Sequence, residues 1–103
     1  MSEMHVVRVH TEPVVLDIGE GTGGLIIYTG EEFRGREIEI SKKPDDSARV
    51  HTEIAERRCN GQMVFAALYL PLVAGAYTIW GPDPHRPTEV TIVGGAIAEV
   101  DWR

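Results

Sequence analysis

The chain has 103 residues, enough for one domain around one core but not for helices layered about a large sheet. Its 43% hydrophobic and 25% charged content excludes a disordered tail. Sixteen acidic against ten basic residues leave a net charge of −6, which opposes nucleic-acid backbones and anionic membranes as partners.

The opening Met-Ser-Glu-Met-His-Val-Val has no basic stretch leading into an apolar run, so no signal peptide is expected. The longest nearly uninterrupted apolar run, Met63 to Ala76, contains a proline and is too short to span a bilayer. A cytoplasmic protein is the expectation. β-Branched runs broken by Gly and Pro recur about every ten residues, the spacing of a sandwich or barrel. Strands are predicted at His5–His10, Val14–Ile18, Leu25–Thr29, Arg36–Ser41, Val50–Arg57, Met63–Leu70, Ala76–Trp80, Thr88–Val93 and Ala96–Trp102. The first two form one bent strand if Pro13, which has no ladder donor, only kinks it.

Arg36-Glu-Ile-Glu-Ile-Ser alternates, placing Ile38 and Ile40 on the core and Glu37 and Glu39 in water. Lys42-Lys-Pro-Asp-Asp-Ser is a polar loop. Asn60-Gly61 predicts a two-residue hairpin, because a type I′ turn needs positive φ at both central positions. It would set Arg57 opposite Val64 and Ile54 opposite Ala67. Met63-Val-Phe-Ala-Ala-Leu-Tyr is apolar on both faces and predicts a central strand. Gly94-Gly95 predicts a second hairpin, with Ile92 facing Ile97. Together these elements predict an all-β fold: a single small antiparallel β-sandwich of about seven to nine strands over residues 1–103.

Leu72-Val-Ala-Gly-Ala-Tyr-Thr-Ile-Trp, then a strand, Gly-Gly and Ala-Ile-Ala-Glu-Val-Asp, resembles the end of a prealbumin-like β-sandwich of the transthyretin or carboxypeptidase-regulatory type. The whole chain is also similar to small uncharacterised actinobacterial proteins. The resemblance implies a sandwich that carries a ligand, acts as a spacer or mediates assembly.

Three motifs bear on chemistry. Gly19, Gly21 and Gly24 after Val14-Val-Leu-Asp-Ile fit G-x-G-x-x-G and resemble the first motif of methyltransferases that use a nucleotide methyl donor. That site needs a helix after the glycines, yet Leu25-Ile-Ile-Tyr-Thr is a strand-forming run ended by Gly30. A crossover unit also takes roughly thirty residues. A glycine-rich β loop is the better reading.

Arg8-Val-His-Thr-Glu12 and Arg49-Val-His-Thr-Glu53 are identical pentapeptides. Residues two apart on a strand share a side at about 6.5 Å, so each copy presents a histidine with a carboxylate. If the two strands are neighbours, His10, Glu12, His51 and Glu53 would converge as a metal site suited to zinc, manganese or iron. The simpler reading is two half-exposed strands with solvated histidines. Cys59, the one cysteine, rules out an intrachain disulfide and sits at a predicted turn beside Arg57 and Arg58. No base is positioned near it to make it a nucleophile.

The sequence therefore favours a non-enzymatic binding or assembly module that pairs with a protein partner or with itself as a homodimer, through sheet edges or the loops Gly19–Gly24 and Gly81–Pro87. Metal binding through the repeated Val-His-Thr-Glu segments is the alternative, and no other cofactor is expected. Trp80 and Trp102 are read as packing residues.

Overall fold

A computed structural model describes residues 6–10, 21–59, 61–81 and 87–103, with residues 6–10 and 59 described by backbone alone. Nine strands follow in chain order: β1 (Val6–His10), β2 (Thr22–Thr29), β3 (Glu37–Lys42), β4 (Arg49–Glu53), β5 (Ala55–Cys59), β6 (Gln62–Val73), β7 (Gly75–Ile79), β8 (Thr88–Ile92) and β9 (Ile97–Asp101). The only helical element among the described residues is a single 3-10 turn, Glu31–Phe33. The strands form two sheets, ordered β1-β9-β2-β6-β5 and β4-β3-β7-β8. β8 lies against β2 and β9, and β4 against β6, so the sheets face each other as a β-sandwich. The expected strand at Val14–Ile18 lies outside the described residues.

The alternation read from Arg36–Ser41 holds: Ile38 and Ile40 are buried while Glu37 and Glu39 are exposed. They join Leu25, Ile27, Ala67, Tyr69, Tyr77, Ile79, Val90, Ile92 and Val100 in a core drawn from both sheets. β6 is interior, between β2 and β5, as its two-sided apolar pattern requires. Its alternate residues reach opposite faces: Ala67 and Tyr69 enter the core, whereas Val64 and Ala66 join Ile26 in a second cluster flanked by Tyr28, Leu68 and Ile97. The five-stranded sheet is therefore apolar on both sides. Pro71 falls where β6 and β2 shift register between Gly23 and Leu25, a place where its missing donor interrupts no regular ladder.

The β5–β6 hairpin has the register that Asn60-Gly61 dictates, Arg57 opposite Val64 and Cys59 opposite Gln62, with Gly61 at φ +79. Ile54 falls just before this ladder. The expected single strand Val50–Arg57 is two strands, because its halves have different partners. β4 pairs with β3 and β5 with β6. At the junction the Ile54 N–H donates to Arg36 O (2.8 Å) and its carbonyl accepts from Gly35 N (2.8 Å). The chain thus passes from one sheet to the other without losing backbone hydrogen bonds.

Gly94-Gly95 is not a hairpin. β8 belongs to the four-stranded sheet and β9 to the five-stranded one. Ala96 N–H still closes the turn on Val93 O (3.2 Å), but the pairing goes no further, because β2 takes the other groups: Gly95 N–H donates to Thr22 O (2.7 Å) and Ala96 O accepts from Gly24 N–H (3.0 Å). β9 then runs parallel to β2, the one parallel pairing among the described strands. Ile92 and Ile97 consequently do not face each other; Ile92 is in the core and Ile97 packs on the outer cluster.

Tyr69 crosses the interior and its hydroxyl donates to Ile38 O of the opposite sheet. Burial drives its pKa above the usual phenol range, with the Glu39 and Glu37 carboxylates adding to the rise; burial raises Tyr77 too. In the unfolded chain a tyrosine ionises near about pH 10. The folded state keeps protons that the unfolded state releases, so this stabilisation is complete below about pH 10 and lost progressively above it. Melting curves should therefore show the thermal midpoint falling above about pH 10, and Tyr69→Phe should make the fall shallower. A wild-type midpoint that stays level to about pH 11.5 would contradict the assignment.

Candidate functional site

The outer face of the four-stranded sheet carries the densest polar network described. Cross-strand register sets Glu37 opposite Glu53, Glu39 opposite His51 and Ser41 opposite Arg49. His51 Nδ1 lies 3.1 Å from Glu37 Oε2, and Arg49 Nη1 donates to Glu39 Oε1 at 3.1 Å. The Arg49 guanidinium also lies 4.1 Å from the Trp80 ring centroid, while Trp80 Nε1 donates to Ser41 Oγ (2.9 Å). Directly opposed carboxylates such as Glu37 and Glu53 repel one another; His51, when protonated, and Arg49 offset that charge. Because these side chains are well exposed, the ion pairs contribute little to stability.

The loop after β3 is cross-linked to the same face. Asp45 accepts from Ser47 N (3.1 Å) and Ser47 Oγ (2.6 Å), which holds its carboxyl below the ordinary range. Arg49 Nε donates to Asp46 O (3.0 Å).

The described part of the first pentapeptide, Arg8–His10, lies in one sheet and the second copy in the other. β1 is outermost in the five-stranded sheet, where His10 pairs opposite Ile97; β4 is outermost in the other. Strand pairing therefore does not bring His10 beside His51. Glu12 lies outside the described residues. His51 and Glu53 do share the outward face of β4, and the nearest carboxylate to His51 comes from β3, through Glu37. Among the described residues, no three His, Cys, Asp or Glu side chains group closely enough to hold a metal ion. Identical local sequence could not reveal this, because the partners differ: β1 pairs with β9 from the far end of the chain, and β4 with β3, the strand just before it.

Cys59 ends β5 opposite Gln62. Arg57, which was expected to lie beside it, directs its Nε to Ala66 O (3.0 Å).

Of the loops expected to carry contacts, residues 82–86 lie outside the description. The segment Gly19–Gly24 is not wholly a loop, since β2 begins at Thr22 and Gly23 packs under the β8–β9 corner. Gly23 thus serves the fold, although the sequence places it in a loop expected to carry contacts.

Four strands end the sheets: β1, β5, β4 and β8. Native edges are commonly protected by charge, and here three of them follow that rule. Arg8 and His10 lie on β1, Arg49, His51 and Glu53 on β4, and Glu56, Arg57 and Arg58 on β5. β8 carries Glu89 alone, and Lys43 Nζ holds that carboxylate at 2.7 Å. Sequence reasoning missed β8 as an edge because it paired β8 with β9. The sparse charge of Thr88-Glu-Val-Thr-Ile was the signal available.

No helix among the described residues is long and apolar enough to cross a membrane. Comparison of the chain with protein-family models, curated proteins and solved structures finds no match.

Proposed function

We propose that this domain is a non-catalytic binding or assembly module of the cytoplasm, engaging a protein strand along a sheet edge. The observation that carries this reading is the open architecture: among the described residues neither sheet closes, so four strands end the two sheets. Strand addition to such an edge uses backbone hydrogen bonds for affinity and alternate side-chain positions for specificity. The prealbumin-like resemblance of Leu72–Asp101 agrees with an assembly role, and the net charge of −6 disfavours a nucleic-acid partner.

The test is hydrogen exchange on the domain bound to a partner co-purified from its native cell. Amides on one of β1, β4, β5 or β8 should slow on binding, while those of the interior strands β2 and β6 stay as they were. Protection confined to loops or to a sheet face, with all four edges unchanged, would overturn the proposal.

A further inference from the structure

We infer that β8 is the docking edge and that its partner is β8 of a second copy of this chain, paired antiparallel about a two-fold axis at Val90. This rests on the edge-binding reading above and makes it specific.

The backbone geometry fixes which groups β8 can offer. In an extended strand, the N–H and C=O of one residue point to the same side, and those of the next residue point to the other. Ala76 O accepts from Lys43 N (2.9 Å) and Trp80 N donates to Glu39 O (2.8 Å), so the even-numbered residues of this segment turn toward β3. Gly75, Tyr77 and Ile79 therefore turn toward β8, where they pair with Ile92, Val90 and Thr88. It follows that the N–H and C=O groups of Glu89 and Thr91 point away from β7, and among the described residues no strand pairs with that side.

Charge selects both the edge and the register. β1, β4 and β5 each carry two or three ionisable side chains and would meet them again in a second copy. β8 carries one, already paired with Lys43. With the axis at Val90, Glu89 lies opposite Thr91 of the second copy, and the two residues exchange N–H···O bonds on either side of the axis, about four in all. A slip that set Glu89 against its own copy would oppose like charges. The next slip would set Glu89 against Val93, an apolar side chain that is 46% exposed. At the Val90 register Val93 instead meets Pro87. The side chains of Glu89 and Thr91 are exposed and stay on the outer face, so pairing asks for no repacking of Val90 or Ile92, which are buried. An edge of this length buries less than a standard interface, so the dimer should be weak and reversible, with a Kd on the order of 10–100 μM.

Sedimentation equilibrium across about 5–500 μM, on the wild type and four Thr91 variants, tests this. Thr91→Pro removes an outward N–H without taking a bond from β7, a placement where an edge strand tolerates proline; it should weaken the dimer at least about tenfold. Thr91→Val keeps the N–H and the shape and should dimerise like the wild type. Thr91→Asp sets a carboxylate opposite Glu89 of the second copy and should weaken the dimer several-fold. Thr91→Lys sets a cation there and should match or tighten it. These charge variants are exposed and fold-neutral, so they decide the matter even if Thr91→Pro fails to fold. A wild type that remains monomeric at the highest concentration overturns self-pairing, and leaves partner binding to the exchange experiment. A dimer on which Thr91→Asp and Thr91→Lys have the same effect places the contact elsewhere and overturns the β8 assignment, while assembly itself would stand.

Discussion

Gly23→Val is expected to leave the domain unfolded at room temperature, and Gly23→Ala to cost on the order of 3 kcal/mol. A Cβ at Gly23 would sit 2.3 Å from Val93 O and 2.7 Å from Ala96 O. Both are backbone atoms of the corner that carries the chain from β8 to β9, so neither can rotate away. Moving that corner would also disturb the Gly95–Thr22 and Gly24–Ala96 hydrogen bonds, which set β9 beside β2. A domain of this size has only about 5–15 kcal/mol in hand. The neighbouring glycines supply the controls. A Cβ at Gly24 meets the tip of the Leu70 side chain at 2.7 Å, which can swing aside, and one at Gly21 meets nothing within 4 Å but stands at φ +79. Alanine at either should cost about 1 kcal/mol. Urea denaturation of the three alanine variants checks the ranking. If Gly23→Ala is no worse than Gly21→Ala, the corner does not depend on this close approach.

That glycine also explains where the sequence was legible and where it was not. Alternation over Glu37–Ile40 and the Asn60-Gly61 turn are short-range signals, and both give the observed faces and register. Gly94-Gly95 carries an equally strong local signal and leads to the wrong partner, because the decisive contact is with Gly23, some seventy residues earlier in the chain. Ile54 misleads in the same manner: nothing in Val-His-Thr-Glu-Ile-Ala-Glu marks the point where a strand changes sheets, and only the bonds to Gly35 and Arg36 do so. The repeated pentapeptide shows the limit for the candidate site. Spacing correctly puts His51 and Glu53 on one side of β4, but which carboxylate comes nearest is decided by β3, which supplies Glu37. Strand existence is written locally. Strand neighbours, and with them any convergent site, are settled by the rest of the chain.

The doubly apolar sheet gives the second large effect, read at two consecutive residues of β2. Ile27 is fully buried in the core between the sheets, and Ile27→Ala should cost about 3–4 kcal/mol through lost burial and the cavity left behind. Ile26 points to the opposite face, and in a strand with one wet face its truncation would cost almost nothing. Here Ile26 is only 7% exposed and packs with Val64, also at 7%, and Ala66, at 0%. Ile26→Ala should therefore cost about 2–3 kcal/mol, close to its neighbour rather than near zero. The two sites lie on opposite sides of one sheet and share no cluster, so the double variant should lose roughly the sum and fall near the limit of folding. Chemical denaturation of the two single variants is sufficient to decide. An Ile26→Ala midpoint equal to wild type would mean that the outer cluster is a solvated surface, and that one face alone holds the sheet.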